Sequence, residues 1–116
     1  MKIIAVAAFA ALLSGCVSSE KLRSNTPTLS VKSDKDARAV AACITAQWEK
    51  AGIFGMTMPI DNKILSDGYS VSYKNGQTVQ LMADVHEAGS GSTTNYYKVS
   101  FVAGVAKFEA AVQNCQ

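Results

Sequence analysis

The chain has 116 residues, 48% of them hydrophobic, with 11 Lys and Arg against 9 Asp and Glu and a formal net charge of +2. That length accommodates one small domain, and the near-balanced charge offers neither a basic stripe for nucleic acid nor a like-charge tail. A single His falls short of the three or four ligands a metal centre needs, and no cofactor is indicated: residues 89–95, "GSGSTTN", have the glycines of a phosphate loop but lack its lysine and following helix.

The first element reads as an export leader over residues 1–15. Lys2 supplies the positive start, Ile3 through Leu13 the apolar run, and Ser14 and Gly15 the small residues before cleavage. The run is about half of the ~20 apolar residues a membrane-spanning helix needs, and it has no polar positions from which a globular helix could build a solvent face. Cys16 stands where an ordinary leader would end in an A-x-A-like site. Leu13-Ser14-Gly15-Cys16 resembles the lipobox of bacterial lipoproteins, a match confined to the first 16 residues that covers all four motif positions. The resemblance implies diacylation of the Cys16 thiol, cleavage before Cys16 and acylation of the new amine, so that the partner of the N-terminus is the membrane. Val17 stands where such families place Asp in proteins kept at the inner membrane, which implies the outer membrane, facing the periplasm. Two or three acyl chains hold where one holds only marginally.

With Cys16 lipidated, Cys43 and Cys115 remain, and in an oxidising compartment they read as a disulfide. The loop it closes is long enough to contribute roughly 4 kcal/mol in the chain-entropy model. Residues 16–33 are mostly polar and read as a lipidated flexible tether, with a root-mean-square span of roughly 20–25 Å. Residues 34–116 then form the domain.

Ser33 is the expected cap of a first helix, in which Ala37, Val40, Ala41, Ile44, Trp48 and Ala51 recur at helical spacing and Gly52 stops the run. Trp48 at that spacing reads as core. Ile53 to Met58 have the composition of a short strand bounded by Pro59, followed by turn signals at Asp61-Asn62 and Ser66-Asp67-Gly68, with Ile60, Ile64 and Leu65 covering an end of the core. Tyr69, Val71 and Tyr73 alternate, as do Val79, Leu81, Ala83 and Val85, around an Asn75-Gly76 turn. A three-residue loop with Gly76 left-handed in a bulge sets Val71 against Val79 and puts all these apolar residues on one side. Ala88 to Asn95 reads as a loop, and a third strand places Tyr97, Val99 and Phe101 inward, with Val99 against Ala83. A closing helix carries Val105, Phe108, Ala111, Val112 and Cys115 on or near one stripe.

The fold expected is α+β: an antiparallel meander of three to four strands with an N-terminal and a C-terminal helix on one face, linked by Cys43–Cys115. Its other face is polar, and with the loop before Tyr96 it forms the candidate binding surface: Gln80, Asp84, His86, Ser90, Ser92, Thr93, Tyr96 and Lys98. Tyr96 is expected to be exposed on it, as Tyr offers large contact area at little entropic cost. Asp84 and His86, two apart on a strand, are the only place where acid–base chemistry gathers, but no nucleophile elbow accompanies them. The reading is a non-enzymatic interaction module of the cell envelope that binds another envelope protein or polymer. The alternatives are an inhibitor or immunity protein acting on a periplasmic hydrolase, and a hydrolase centred on His86.

Overall fold

The computed structural model describes residues 18–52, 59–99 and 104–116. The leader, Cys16, the proposed strand at 53–58 and Phe101 lie outside the described residues. In chain order the elements are α1 (Ser19–Arg23), β1 (Leu29–Ser33), α2 (Ala37–Ala51), β2 (Ile60–Leu65), β3 (Gly68–Asn75), β4 (Thr78–Ala88), β5 (Gly91–Lys98) and α3 (Ala106–Asn114). The five strands form one sheet in the order β1-β5-β4-β3-β2, with every neighbouring pair antiparallel. The chain lays down one edge, crosses with α2 to the other edge, and returns by three hairpins to pair β5 with β1.

Asp36 starts α2 by accepting the Ala39 N–H at 2.7 Å, and Gly52 ends it at φ 62°. The cap is therefore Asp36 rather than Ser33, which closes β1. The buried stripe of α2 is Ala37, Val40, Ala41, Ile44 and Trp48, and that of α3 is Phe108, Ala111 and Val112. Both helices pack on one face of the sheet, over Val71, Tyr73, Leu81, Ala83, Val85 and Tyr96. Trp48 is the centre of this core. Its ring meets Phe108 and Tyr96 edge-on, with centroids 5.5 and 6.2 Å away, and its indole N–H donates to the Phe108 carbonyl at 3.0 Å. Cys43 and Cys115 are bonded across the two helices. Among the described residues no helix is long and apolar enough to cross a membrane.

The architecture is the expected α+β one, but two strands lie outside the expected meander. Residues 16–33 were expected as a tether; in the described part, 19–23 is helix and 29–33 is an edge strand. Leu29 and Val31 turn inward against Tyr96 and Thr94, and this two-residue alternation is enough for an edge. Asp61-Asn62 is not a turn but the middle of β2, and Ile64 does not cover the core: it is 81% exposed.

The β3–β4 hairpin turns at Gly76-Gln77, with Gly76 at φ 65° as expected, but its register sets Tyr73 against Leu81, Val71 against Ala83 and Tyr69 against Val85. The extra residue is Gln80, because Tyr73 faces Leu81 while Lys74 faces Val79. The 88–95 loop is absent as well. β4 and β5 close at Gly89-Ser90, and Tyr96, rather than Val99, opposes Ala83. Tyr96 is therefore core and Tyr97 lies on the opposite face.

Removing the Cys43–Cys115 bond, which spans 72 positions, frees a loop whose closure is worth roughly 4 kcal/mol. The C43A/C115A double variant is expected to fold with α2 and α3 still helical and to lose about 3–4 kcal/mol, read as a lower urea midpoint.

Candidate functional site

The second face of the sheet is not simply a solvated polar surface. At one end it holds a small apolar cluster of Leu22, Val79, Met82, Tyr97 and Val99. Leu22 comes from α1, whose first turn is capped by Ser18 Oγ accepting the Lys21 N–H at 3.2 Å. Five residues make a marginal helix alone; burial of Leu22 and the side chain of Arg23 hold it in place. Arg23 Nε donates to Asp84 Oδ2 at 2.6 Å, and Nη2 donates to Asp84 Oδ1 at 3.1 Å and to Ser70 Oγ at 3.2 Å. The forked guanidinium thus satisfies a carboxylate that is 1% exposed on β4. The hydrogen bond to Asp84 pushes the Arg23 pKa further up.

Beyond this latch the face is open. His86 Nδ1 lies 3.0 Å from both carboxylate oxygens of Asp67 and donates to them, which holds the exposed Asp67 below the usual carboxylate range. Across the ladder His86 faces Thr93, and Thr93 faces Lys32. Ser30 Oγ donates to Asn95 Oδ1 at 2.8 Å. Asp67, His86, Thr93, Lys32 and the exposed turn residue Ser90 therefore gather at the end of the sheet beyond the Arg23–Asp84 pair, away from the Gly76-Gln77 turn.

The expected surface is split by this arrangement. His86 and Thr93 are half-buried on the open end, and Ser90 is at its rim. Gln80 is half-buried at the bulge, its carbonyl accepting the Val99 N–H at 3.1 Å. Asp84 is occupied by Arg23. Ser92, Tyr96 and Lys98 belong to the helix side, in register with Ser33 and Leu29 on β1 and Leu81 on β4. Ser92 is buried and donates to the Lys35 carbonyl at 2.8 Å. Tyr96 is fully buried, its hydroxyl has no hydrogen-bond partner among the described residues, and burial raises its pKa, with Glu109 adding to the effect. Among the described residues no three His, Cys, Asp or Glu side chains gather as a metal site.

Arg23, Asp67 and Lys32 are the site residues the sequence reading missed. A signal for α1 was present: Ser18 is a good N-cap and Glu20 suits the first turn of a helix.

No family model matches the chain, and no solved structure matches it. The chain is similar to a protein of Methanosarcina acetivorans named L-aspartate semialdehyde sulfurtransferase, with 39% identity over 77 residues. That stretch is 66% of this chain but 15% of the relative's length.

Two outcomes follow from the geometry. Arg23→Ala strands a buried carboxylate and is expected to cost about 2–3 kcal/mol, whereas Asp84→Ala leaves Arg23 a route to water and costs about 1 kcal/mol; urea titration of both variants checks the asymmetry. Tyr96→Phe removes an unpartnered buried hydroxyl and is expected to gain about 1 kcal/mol. Because the folded pKa of Tyr96 is raised, its contribution is intact below the unfolded value of about 10 and is lost as pH rises above it. The variant should therefore also move the alkaline unfolding midpoint upward in a pH–stability series.

Proposed function

We propose that the chain is a lipid-anchored protein of the bacterial envelope, held by Cys16 at the outer membrane and facing the periplasm, where it acts as a non-enzymatic binding module. Its recognition surface is the open end of the second face, around Asp67, His86, Ser90, Thr93 and Lys32. Its partner is another envelope protein or polymer.

The observation that carries this reading is the position of α1. Ser18 follows Cys16 by two residues, and the segment from Ser18 to Arg23 lies against the end of the sheet that holds Lys74, Gln77 and Val79. An acylated Cys16 therefore keeps the Gly76-Gln77 turn beside the lipid. The Ser66-Asp67 and Gly89-Ser90 turns lie at the opposite ends of the strands, about 30 Å away along β4. The anchor and the proposed surface are thus at opposite ends of one rigid sheet, an arrangement that a free 20–25 Å tether would not impose. The four matching positions of the lipobox support acylation, and the Cys43–Cys115 bond suits an oxidising compartment. The engagement of Asp84 by Arg23 removes it as a partner for His86, and among the described residues no Ser, Thr or Cys side chain hydrogen-bonds His86 as a nucleophile would. A sulfur-transfer reading taken from the similar protein would need a thiol, and Cys43 and Cys115 are joined to each other.

Mass spectrometry of the native protein is expected to show an acylated N-terminal Cys16, and Cys16→Ser is expected to move the protein from the membrane to the soluble fraction. In vesicles holding a lipid-borne quencher, a fluorophore at Gln77 should be quenched strongly and one at Ser90 weakly. Equal quenching at the two sites would show that the surface is not held away from the bilayer. Recovery of a hydrolase in a 1:1 complex would narrow the module to an inhibitor.

A further inference from the structure

Strand β2 ends the sheet, so one of its sides carries backbone groups that no described strand satisfies. The ladder identifies them. Asp67 accepts the Glu87 N–H at 2.8 Å, so by alternation Tyr69, Val71 and Tyr73 bond towards β4, while Gly68, Ser70 and Ser72 bond towards Leu65, Lys63 and Asp61 of β2. The outward N–H and C=O groups of β2 are therefore those of Ile60, Asn62 and Ile64.

The order of side chains on this edge is its own complement. In an antiparallel pair centred on Asn62, Asn62 meets Asn62 of a second copy, Ile60 meets Ile64, and Asp61 meets Lys63, each of the last two twice by symmetry. The six outward backbone groups then form six hydrogen bonds. Asp61 and Lys63 lie on the second face, at non-hydrogen-bonded positions where side chains approach most closely. Ile60 and Ile64 lie on the helix side, and Ile64, at 81% exposed, is the only large hydrophobic side chain so exposed among the described residues. It borders a groove of about 590 Å³ between β2 and α2, lined in part by Ala42, Ala46 and Tyr69. Charges on sheet edges commonly guard against pairing. An edge of one sign would do so, but Asp-Asn-Lys attracts its own antiparallel copy. The contact of Asp61 with Lys74 is long, at 3.5 Å, and both side chains are exposed, so it does not commit Asp61 elsewhere.

We infer that β2 pairs with β2 of a second copy of this chain about a two-fold axis through Asn62, making one ten-stranded sheet with the helices of both copies on the same face. The inference does not depend on the anchor or on the proposed binding surface, whose residue nearest to this edge is Asp67 in the turn that follows β2.

The test is the association state of the purified full chain in detergent, by light scattering and sedimentation. The native protein is expected to dimerise. Asp61→Lys or Lys63→Asp alone sets like charges opposite one another at two positions and should weaken the dimer about tenfold, and D61K/K63D together should restore it to within about twofold. In the native charge background, Asn62→Cys should place two thiols across the axis within reach of a short bis-thiol cross-linker, because directly opposed residues of a hydrogen-bonded antiparallel pair lie about 5.5 Å apart at Cα. The inference is overturned by a native protein that stays monomeric, by a charge swap no better than the single reversals, by an Asn62→Cys chain that does not cross-link, or by an extended peptide of other sequence taking the β2 edge instead.

Discussion

One extra residue, Gln80, sets which side chains face which layer. In an unbroken ladder Val79 would share a face with Leu81 and Ala83. The offset between Tyr73–Leu81 and Lys74–Val79 turns it to the other side, where it joins Met82 and Tyr97. That gives the second face an apolar end on which Leu22 is buried. Burial of Leu22 holds α1, and α1 brings Arg23 to Asp84 and Ser70. Without the bulge, Asp84 would be a carboxylate on a polar face with little to hold the preceding chain against it. A single irregularity thus converts a one-sided sheet into one buried on both faces over part of its length, as bulges that re-aim side chains do.

The sequence was legible where one face decides a pattern. The stripe from Ala37 to Trp48, the stripe from Phe108 to Cys115, and the alternation of Tyr69, Val71 and Tyr73 all point into the helix-side core, and the pairing of Cys43 with Cys115 follows from the packing of those stripes together. It was illegible where polar residues are buried. Ser92 and Thr94 look like loop residues, yet they share the inward side of β5 with Tyr96. Their hydroxyls are satisfied there, by the Lys35 carbonyl at 2.8 Å and the Gln116 side-chain amide at 3.5 Å. Reading Ser92 and Thr94 as solvent residues moved the start of β5 and exchanged the faces of Tyr96 and Tyr97, since a shift of one residue inverts a strand.

The candidate surface was legible by residue type but not by layer. His86 shares the parity of Asp84 on β4 and so falls on the same face, whereas Thr93, read as part of a loop, reaches that face through its pairing with His86. Tyr96 and Ser92 were misplaced by the same parity error in β5. The partners of Asp84 and His86 were hidden for a different reason. Arg23 is 61 positions from Asp84 and Asp67 is 19 from His86, and nothing local in the sequence ties a short capped segment or a turn aspartate to a distant strand.

A small sheet has two faces and two edges to account for. The helices cover one face, α1 covers part of the other, and β1 is a five-residue edge on which Leu29, Val31 and Ser33 turn inward. On β2, by contrast, the run of exposed residues from Asp61 to Ile64 includes a branched hydrocarbon left in water. Exposed apolar side chains scattered over a surface need no explanation. Here the exposed isoleucine sits on a strand with one side left unpaired by the described strands, beside a groove lined by Ala41, Ala42 and Ala46 together with Arg38 and Glu49, in a sequence whose side-chain sizes match and whose charges are opposite on the two sides of Asn62. Burial elsewhere is thorough enough to hold Trp48, Leu81, Met82 and Tyr96 entirely out of solvent. Against that background, incomplete packing does not explain Ile64 on its edge, whereas a strand whose second side is completed by association does.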